Sequence, residues 1–396
     1  MSMELAELSR MLYSPVTLLL YAASAFAYLY SLTTTVGRRD DTRRRGRRAQ
    51  TLGLVLAVLG LTTHIGFEVT RSLAANRLPL GNMFEFTSAM ALVGVLTGLF
   101  YLQFVRKRPE LNGFVMLTGL LVLASALLVY AEPGPLMPIL DTWWRSLHVT
   151  LIVTAAGIFT AGFLFNGLNL LRDTAERGVA ARHTAAGSGS TVGAAYAGDL
   201  DQVTDSAPDR EDPDERLPDD QDEHDAAYRA ALRAAINPWK LALFTFLGTS
   251  TVSWVFLVTD SLTFSEGVVQ YLSVNLALVA AALVARWFVP FLPPAATLDG
   301  LAYRTIALGF VAWTVGVITG AMWAEESWGR FWGWDPKETA SFLTWIAYAA
   351  YLHARATRGT RGRGAAWLGI LAFAVLMFTY YAVNLVITGL HSYAGV

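Results

Sequence analysis

The sequence predicts an all-α protein, a polytopic membrane bundle of about ten transmembrane helices, and three observations predict it. Of the 396 residues, 54% are hydrophobic and only 15% are charged. The charges gather in a few blocks, so the stretches between the blocks are nearly free of them. Those stretches reach the roughly 18 to 20 residues that a helix needs to cross about 30 Å of hydrocarbon.

The uncharged runs lie at 12–36, 49–67, 86–105, 111–131, 149–171, 241–259, 267–285, 305–324 and 364–388. A slightly short one, 339–355, ends with His353 and Arg355. The pair within 241–285 is rich in Thr and Ser, and its two members are expected to stand or fall together without changing the topology of the rest. Orientation follows from Lys and Arg. Arg38 to Arg48 follow the first helix, Arg106, Lys107 and Arg108 the third, and Arg172 and Arg177 the fifth. Arg286 and Arg304 flank the next loop on that side, and Arg355, Arg358, Arg361 and Arg363 precede the last helix. With ten alternating helices all of these share one side, which the positive-inside rule makes cytoplasmic. Both termini are then extracytoplasmic. Glu4 and Glu7 precede the first apolar run and its positive charge follows it, so the run is expected to be a retained helix, not a cleavable signal.

Residues 172–237 differ in kind, being acidic, rich in Gly, Ala and Ser, and poor in aromatics. Such a composition buries too little apolar surface to order itself, so a disordered cytoplasmic insert is expected, with His183 and His224 solvated inside it. It divides the chain into 1–171, carrying helices 1–5, and 238–396, carrying helices 6–10. The net charge of -1 says little about partners, and no nucleic-acid partner is expected. The sequence holds no cysteine, which excludes a disulfide, a thiol nucleophile and a C-x-x-C-H haem attachment site.

One loop carries chemistry. The run from Trp323 to Glu338, WAEESWGRFWGWDPKE, places four tryptophans (Trp323, Trp328, Trp332 and Trp334) and six charged residues between two apolar stretches on the extracytoplasmic side. One or two tryptophans serve as interfacial anchors, as Trp143 and Trp144 can; four so close together exceed that need. Indoles beside fixed charges suit a large planar ligand with an apolar body and anionic edges, and haem has that form. Arg330, Lys337 and Arg145 are the candidates for its carboxylates, with pairing to neighbouring Asp and Glu as the ordinary alternative. Pro336 after Asp335 predicts a turn into the next helix, with Lys337 and Glu338 at its start.

Four of the six histidines have structural context. His148, in DTWWRSLHVT, opens helix 5, and His391, in NLVITGLHSYAGV, follows helix 10. Both fall at the depth of the tryptophan loop, where neutral imidazoles from two helices make a six-coordinate iron site. Each alone also reads as a polar helix-end residue. His353 lies near the inner end of helix 9, and His64 in the outer half of helix 2.

These phrases resemble a known family. WGRFWGWDPKE resembles the WWD motif of haem-handling proteins. WGWDPKETASFLTWIAYAAYLHAR with NLVITGLHSYAGV resembles the CcsA (ResC) branch used in system II cytochrome c biogenesis, as do RLPLGNMFEF at 77–86 and LDGLAYR at 298–304. The resemblance covers most of the chain except the acidic insert and the pair at 241–285, which would be an addition to an eight-helix core. It implies a plasma-membrane protein that carries haem b across the membrane and presents it to the C-x-x-C-H segment of apocytochrome c for thioether attachment. By that resemblance His148 and His391 are the external iron ligands and His353 the inner one. It implies that the inner site is completed by a histidine of a CcsB (ResB)-like partner, and that any holocytochrome c synthase activity belongs to the complex. No residue is singled out as catalytic. Three other readings stand beside it. They are a system I haem-handling protein, a b-type electron-transfer cytochrome with paired histidines inside facing helices, and a secondary transporter, which would show matched Gly or Pro breaks at mid-membrane.

Overall fold

The computed structural model describes residues 2–34, 40–135, 142–187, 218–259 and 262–387. Among them every regular element is helical. Helix α1 (Ser2–Met11) continues through a short distorted turn into α2 (Leu18–Thr34), which pairs with the long α3 (Asp40–Ala75). Then come α4 (Met83–Phe100), α5 (Asn112–Ala126) and α6 (Trp143–Gly187). After residues 188–217, which lie outside the described residues, α7 (Pro218–Ala234) and α8 (Pro238–Ser253) follow. The chain closes with α9 (Phe264–Phe288), α10 (Ala295–Trp328), α11 (Pro336–Thr357) and α12 (Arg363–Leu385).

Eight of these segments are long and apolar enough to cross a membrane, which makes this a multi-pass membrane protein: Glu4–Thr34, Asp41–Ala75, Met83–Val105, Pro109–Val129, Trp143–Arg182, Phe264–Phe291, Ala295–Trp328 and Arg363–Leu385. The two members of the 241–285 pair differ. Helix α8 has only 16 residues, about 24 Å at 1.5 Å each, whereas the Phe264–Phe291 segment qualifies. They stay joined by polar contacts, Asn275 Nδ2 donating to Ser253 Oγ (2.7 Å) and Ser250 pairing with the Tyr271 hydroxyl (2.8 Å). Helix α11 has 22 residues but is not among the eight, since Lys337, Glu338, His353 and Arg355 dilute its apolar character. Within 172–237, where disorder is the expectation, helix reaches to Gly187 on one side and covers Pro218–Ala234 on the other.

The core that positions the site is the antiparallel pair α6 and α10. Glycines set its register. A methyl group added at Gly309 would lie 2.8 Å from the Phe159 ring, at Gly316 2.8 Å from Ile152, and at Gly320 2.7 Å from the His148 ring. Small residues let helix backbones approach closely where lipid supplies no hydrophobic drive for helix association. The same device seats α4 on α6, where a methyl group at Gly157 would lie 2.8 Å from the Met90 carbonyl. Helices α11 and α12 form a hairpin joined by Thr344 and Thr379 hydroxyls 3.0 Å apart. Its closed end is fixed by a bidentate bond from Arg355 to Asp299 (2.6 and 2.9 Å), which also accepts from the Gly362 amide (3.1 Å).

Candidate functional site

The tryptophan loop is shaped by cap chemistry. Helix α10 stops at Trp328 because Gly329 takes a left-handed conformation (φ 66°), its amide closing on the Glu325 carbonyl at 2.8 Å. Trp334, also at positive φ (59°), turns the chain toward α11. Pro336 occupies the first turn of that helix, as the sequence predicts, while Asp335 caps it and Glu338 completes a reciprocal capping box. The buried Glu338 carboxylate does more: it accepts from the Gly333 amide (2.7 Å) and the Asp335 amide (3.2 Å) and pairs with Arg330 (3.4 Å). One carboxylate therefore holds both ends of the WGWD turn.

This turn roofs a cavity of about 190 Å³ between α4, α6, α10, α11 and α12. His148, Arg145, Trp323, Trp332 and Lys337 line it, with Tyr380 and Met83 on the opposite wall. The His148 ring stacks on Trp323 at 6.2 Å and 22°, and its Nδ1 donates to the Gly316 carbonyl at 2.7 Å. A carbonyl only accepts, so that bond puts a proton on Nδ1 and makes Nε2 the nitrogen through which the ring could meet a metal. Arg145 is buried and donates from Nη2 to the Leu80 carbonyl (2.7 Å). Burial pushes the Lys337 ammonium down to about 8, Asp335 opposing and Arg145 adding to the fall. A cationic corner beside an imidazole and two indoles is chemically suited to a planar anion-edged ligand with a metal at its centre, so the residues present fit haem.

Other expected site residues lie elsewhere. Arg330 takes the ordinary role, its guanidinium lying against Gly333 and paired with Glu338. Asp335 is the helix cap, Trp328 packs behind Trp323 (5.2 Å), and Trp334 is 67% exposed beside Trp332 (5.9 Å). None of these four is among the cavity-lining residues. His353 is exposed near the C-terminal end of α11, the far end from the cavity. His391 lies outside the described residues. Trp143, 73% exposed, suits the anchoring role.

Sequence reasoning passed over the other wall. The phrase RLPLGNMFEF is organised by Glu85, which is fully buried and accepts from Arg71 Nε (2.8 Å), Arg77 Nη1 (2.7 Å) and the Gly81 amide (2.6 Å). Asn82 caps α4 through the Glu85 amide (2.9 Å), and Leu80, Gly81, Asn82 and Met83 then form the cavity lip. The signal was the unusual Arg71 and Glu85 inside apolar helices, each of which needs a partner there. His64 is likewise explained: Tyr21 donates to its Nδ1 (2.9 Å), its Nε2 donates to Ser88 (2.9 Å), and Ser88 donates to Glu68 (2.7 Å).

Known proteins share this sequence over most of its length. A family model described as cytochrome C assembly protein matches residues 52–391. A cytochrome c biogenesis protein CcsA of Gloeobacter violaceus is 30% identical over 349 residues, 86% of each chain. One of Rippkaea orientalis is 30% identical over 383 residues, 95% of this chain and 93% of that one. One of Synechococcus elongatus is 55% identical over 97 residues, 24% of this chain and 30% of the relative. The chain belongs to the cytochrome c assembly family, in its CcsA branch, and has its role in cytochrome c biogenesis.

Proposed function

We propose that this protein receives haem b from the cytoplasmic side and presents it at its outer face to apocytochrome c. The single observation that carries the reading is one cavity in which His148, its Nδ1 held by the Gly316 carbonyl, meets Arg145, Lys337, Trp323 and Trp332. Trp323 and Trp332 pack the macrocycle, Arg145 and Lys337 pair with propionates, and His148 binds iron with His391 as its partner from the chain end. Trp328 and Trp334 buttress those indoles, and Arg330, Asp335 and Glu338 hold the loop that carries them.

His353 is the inner waypoint, completed by a CcsB/ResB-like membrane partner. The bundle sits in the plasma membrane with ten crossings, α8 and α11 included, and both termini outside, so the cavity opens extracytoplasmically. Haem supplies the vinyl groups, and the C-x-x-C-H segment supplies the thiols that add to them and the histidine that displaces one axial ligand. What this chain supplies is orientation and exclusion of water, so that synthase activity belongs to the complex.

The test is co-expression with and without the partner, followed by absorption spectra of the purified material and an assay of client cytochrome maturation. A b-type spectrum lost in His148→Ala and His391→Ala variants supports the reading. A spectrum that survives both removes it.

A further inference from the structure

We propose that Gly316 and Gly320 are positioning residues for the His148 imidazole, forming with Trp323 a cradle that keeps it a neutral, exchangeable ligand; this rests on the iron-binding role of His148. The three positions follow one another along α10 as one helical stripe, at i, i+4 and i+7. Gly316 offers its carbonyl to Nδ1 at 2.7 Å. One turn on, a methyl group at Gly320 would lie 2.7 Å from both Nδ1 and Cε1, closer than carbon atoms approach, so the ring fits only over a glycine. Trp323 closes the cradle by stacking at 6.2 Å.

The choice of acceptor has chemical consequences. A carboxylate at Nδ1 draws the proton and makes the imidazole a stronger donor to iron, whereas a backbone carbonyl leaves it neutral. The Gly316 carbonyl is shared further, since Thr319 Oγ1 also donates to it at 2.9 Å. A moderately basic ligand suits a site whose cargo must leave when the client's own histidine arrives. Displacing the ring from the carbonyl frees the tautomer and the ring orientation together.

The experiment uses the full chain purified with its partner, reading the absorption spectrum, haem content and midpoint potential. Gly320→Ala is expected to lose the low-spin bands of the outer site, and added imidazole to restore them. Gly53→Ala imposes the same kind of crowding between α3 and α2, against the Tyr28 ring at 2.9 Å, away from His148, and is expected to keep the wild-type spectrum and potential. Thr319→Val removes the competing donor without crowding, and is expected to lower the potential at unchanged haem content. A wild-type spectrum and potential in Gly320→Ala, or an equal defect in Gly53→Ala, overturns the cradle. Should Gly320→Ala fail to accumulate, the potential of Thr319→Val decides, and an unmoved value overturns it. If His148→Ala itself leaves the spectrum unchanged, the ligand assignment has failed; if only the glycine and threonine variants are silent, the cradle alone has.

Discussion

His148 and His64 are both histidines on membrane helices, yet their surroundings give Nδ1 opposite roles, donor in the first and acceptor in the second. His64 is fully buried, accepts from Tyr21 at Nδ1 and donates from Nε2 to Ser88, which passes the chain of bonds on to Glu68. Its lone pair and its proton are both used inside the bundle. His148 spends its Nδ1 proton on a backbone carbonyl and lines a cavity. One imidazole is a structural connector between α2, α3 and α4, and the other is disposed to meet a ligand. Residue type and membrane depth do not separate them. The partner on Nδ1 does.

The largest effect is expected where the comparison is cut directly. His148→Ala should remove haem from the outer site outright and abolish cytochrome c maturation, read by absorption and by client haem staining. His64→Ala should leave that spectrum in place, so equal losses in the two variants would break the distinction.

Next in size is Glu85, which belongs to the His64 side of the molecule but shapes the lip of the cavity. Glu85→Gln leaves Arg71 and Arg77 buried around a neutral amide, and removing one member of a buried ion pair costs about 3–5 kcal/mol. A thermal scan in detergent should show the loss, with haem retention falling in parallel because Leu80 to Met83 lose their anchor. A stable variant with poor haem retention would instead assign Glu85 to the ligand. His64→Leu comes third. It leaves Tyr21 and Ser88 without their partner, at about 1–3 kcal/mol for each buried group, and should lower the unfolding temperature while sparing the spectrum.

How much of this was legible in the sequence depends on the range of the interaction. The tryptophan loop and its Pro336 turn are local, set by residues three or four apart, and the string reveals them. Most of the apolar runs also announce themselves, because a membrane helix needs only uninterrupted length. Helices α8 and α11 blur, since Ser, Thr and end charges bring them near the limit where composition stops deciding. The division of labour among the loop's charges was not legible. Arg330 and Lys337 look alike in the string, yet the first folds onto Glu338 and the second lines the cavity, because the α11 N-terminus faces α6 and Arg145. Nor was the Gly316 contact, which needs α6 and α10 aligned antiparallel in one particular register.

The smallest effect sharpens the comparison through pH. Lys337 is held at about 8 by burial, against an ordinary value near 10.5. Between those values the native protein binds fewer protons than the unfolded chain, so empty protein should gain stability as pH rises from about 8 towards 10 and gain nothing below 8. Binding of an anionic edge runs the other way: it needs the ammonium charged, so haem retention should fall over the same window, by at most about tenfold per pH unit. Thermal scans of empty protein and haem titrations at about pH 8, 9 and 10 should therefore move in opposite directions in the wild type. Lys337→Met should flatten both. His64→Leu, which alters the connector and not the cavity, should leave both slopes as they are, and parallel slopes in the wild type would separate Lys337 from the ligand altogether.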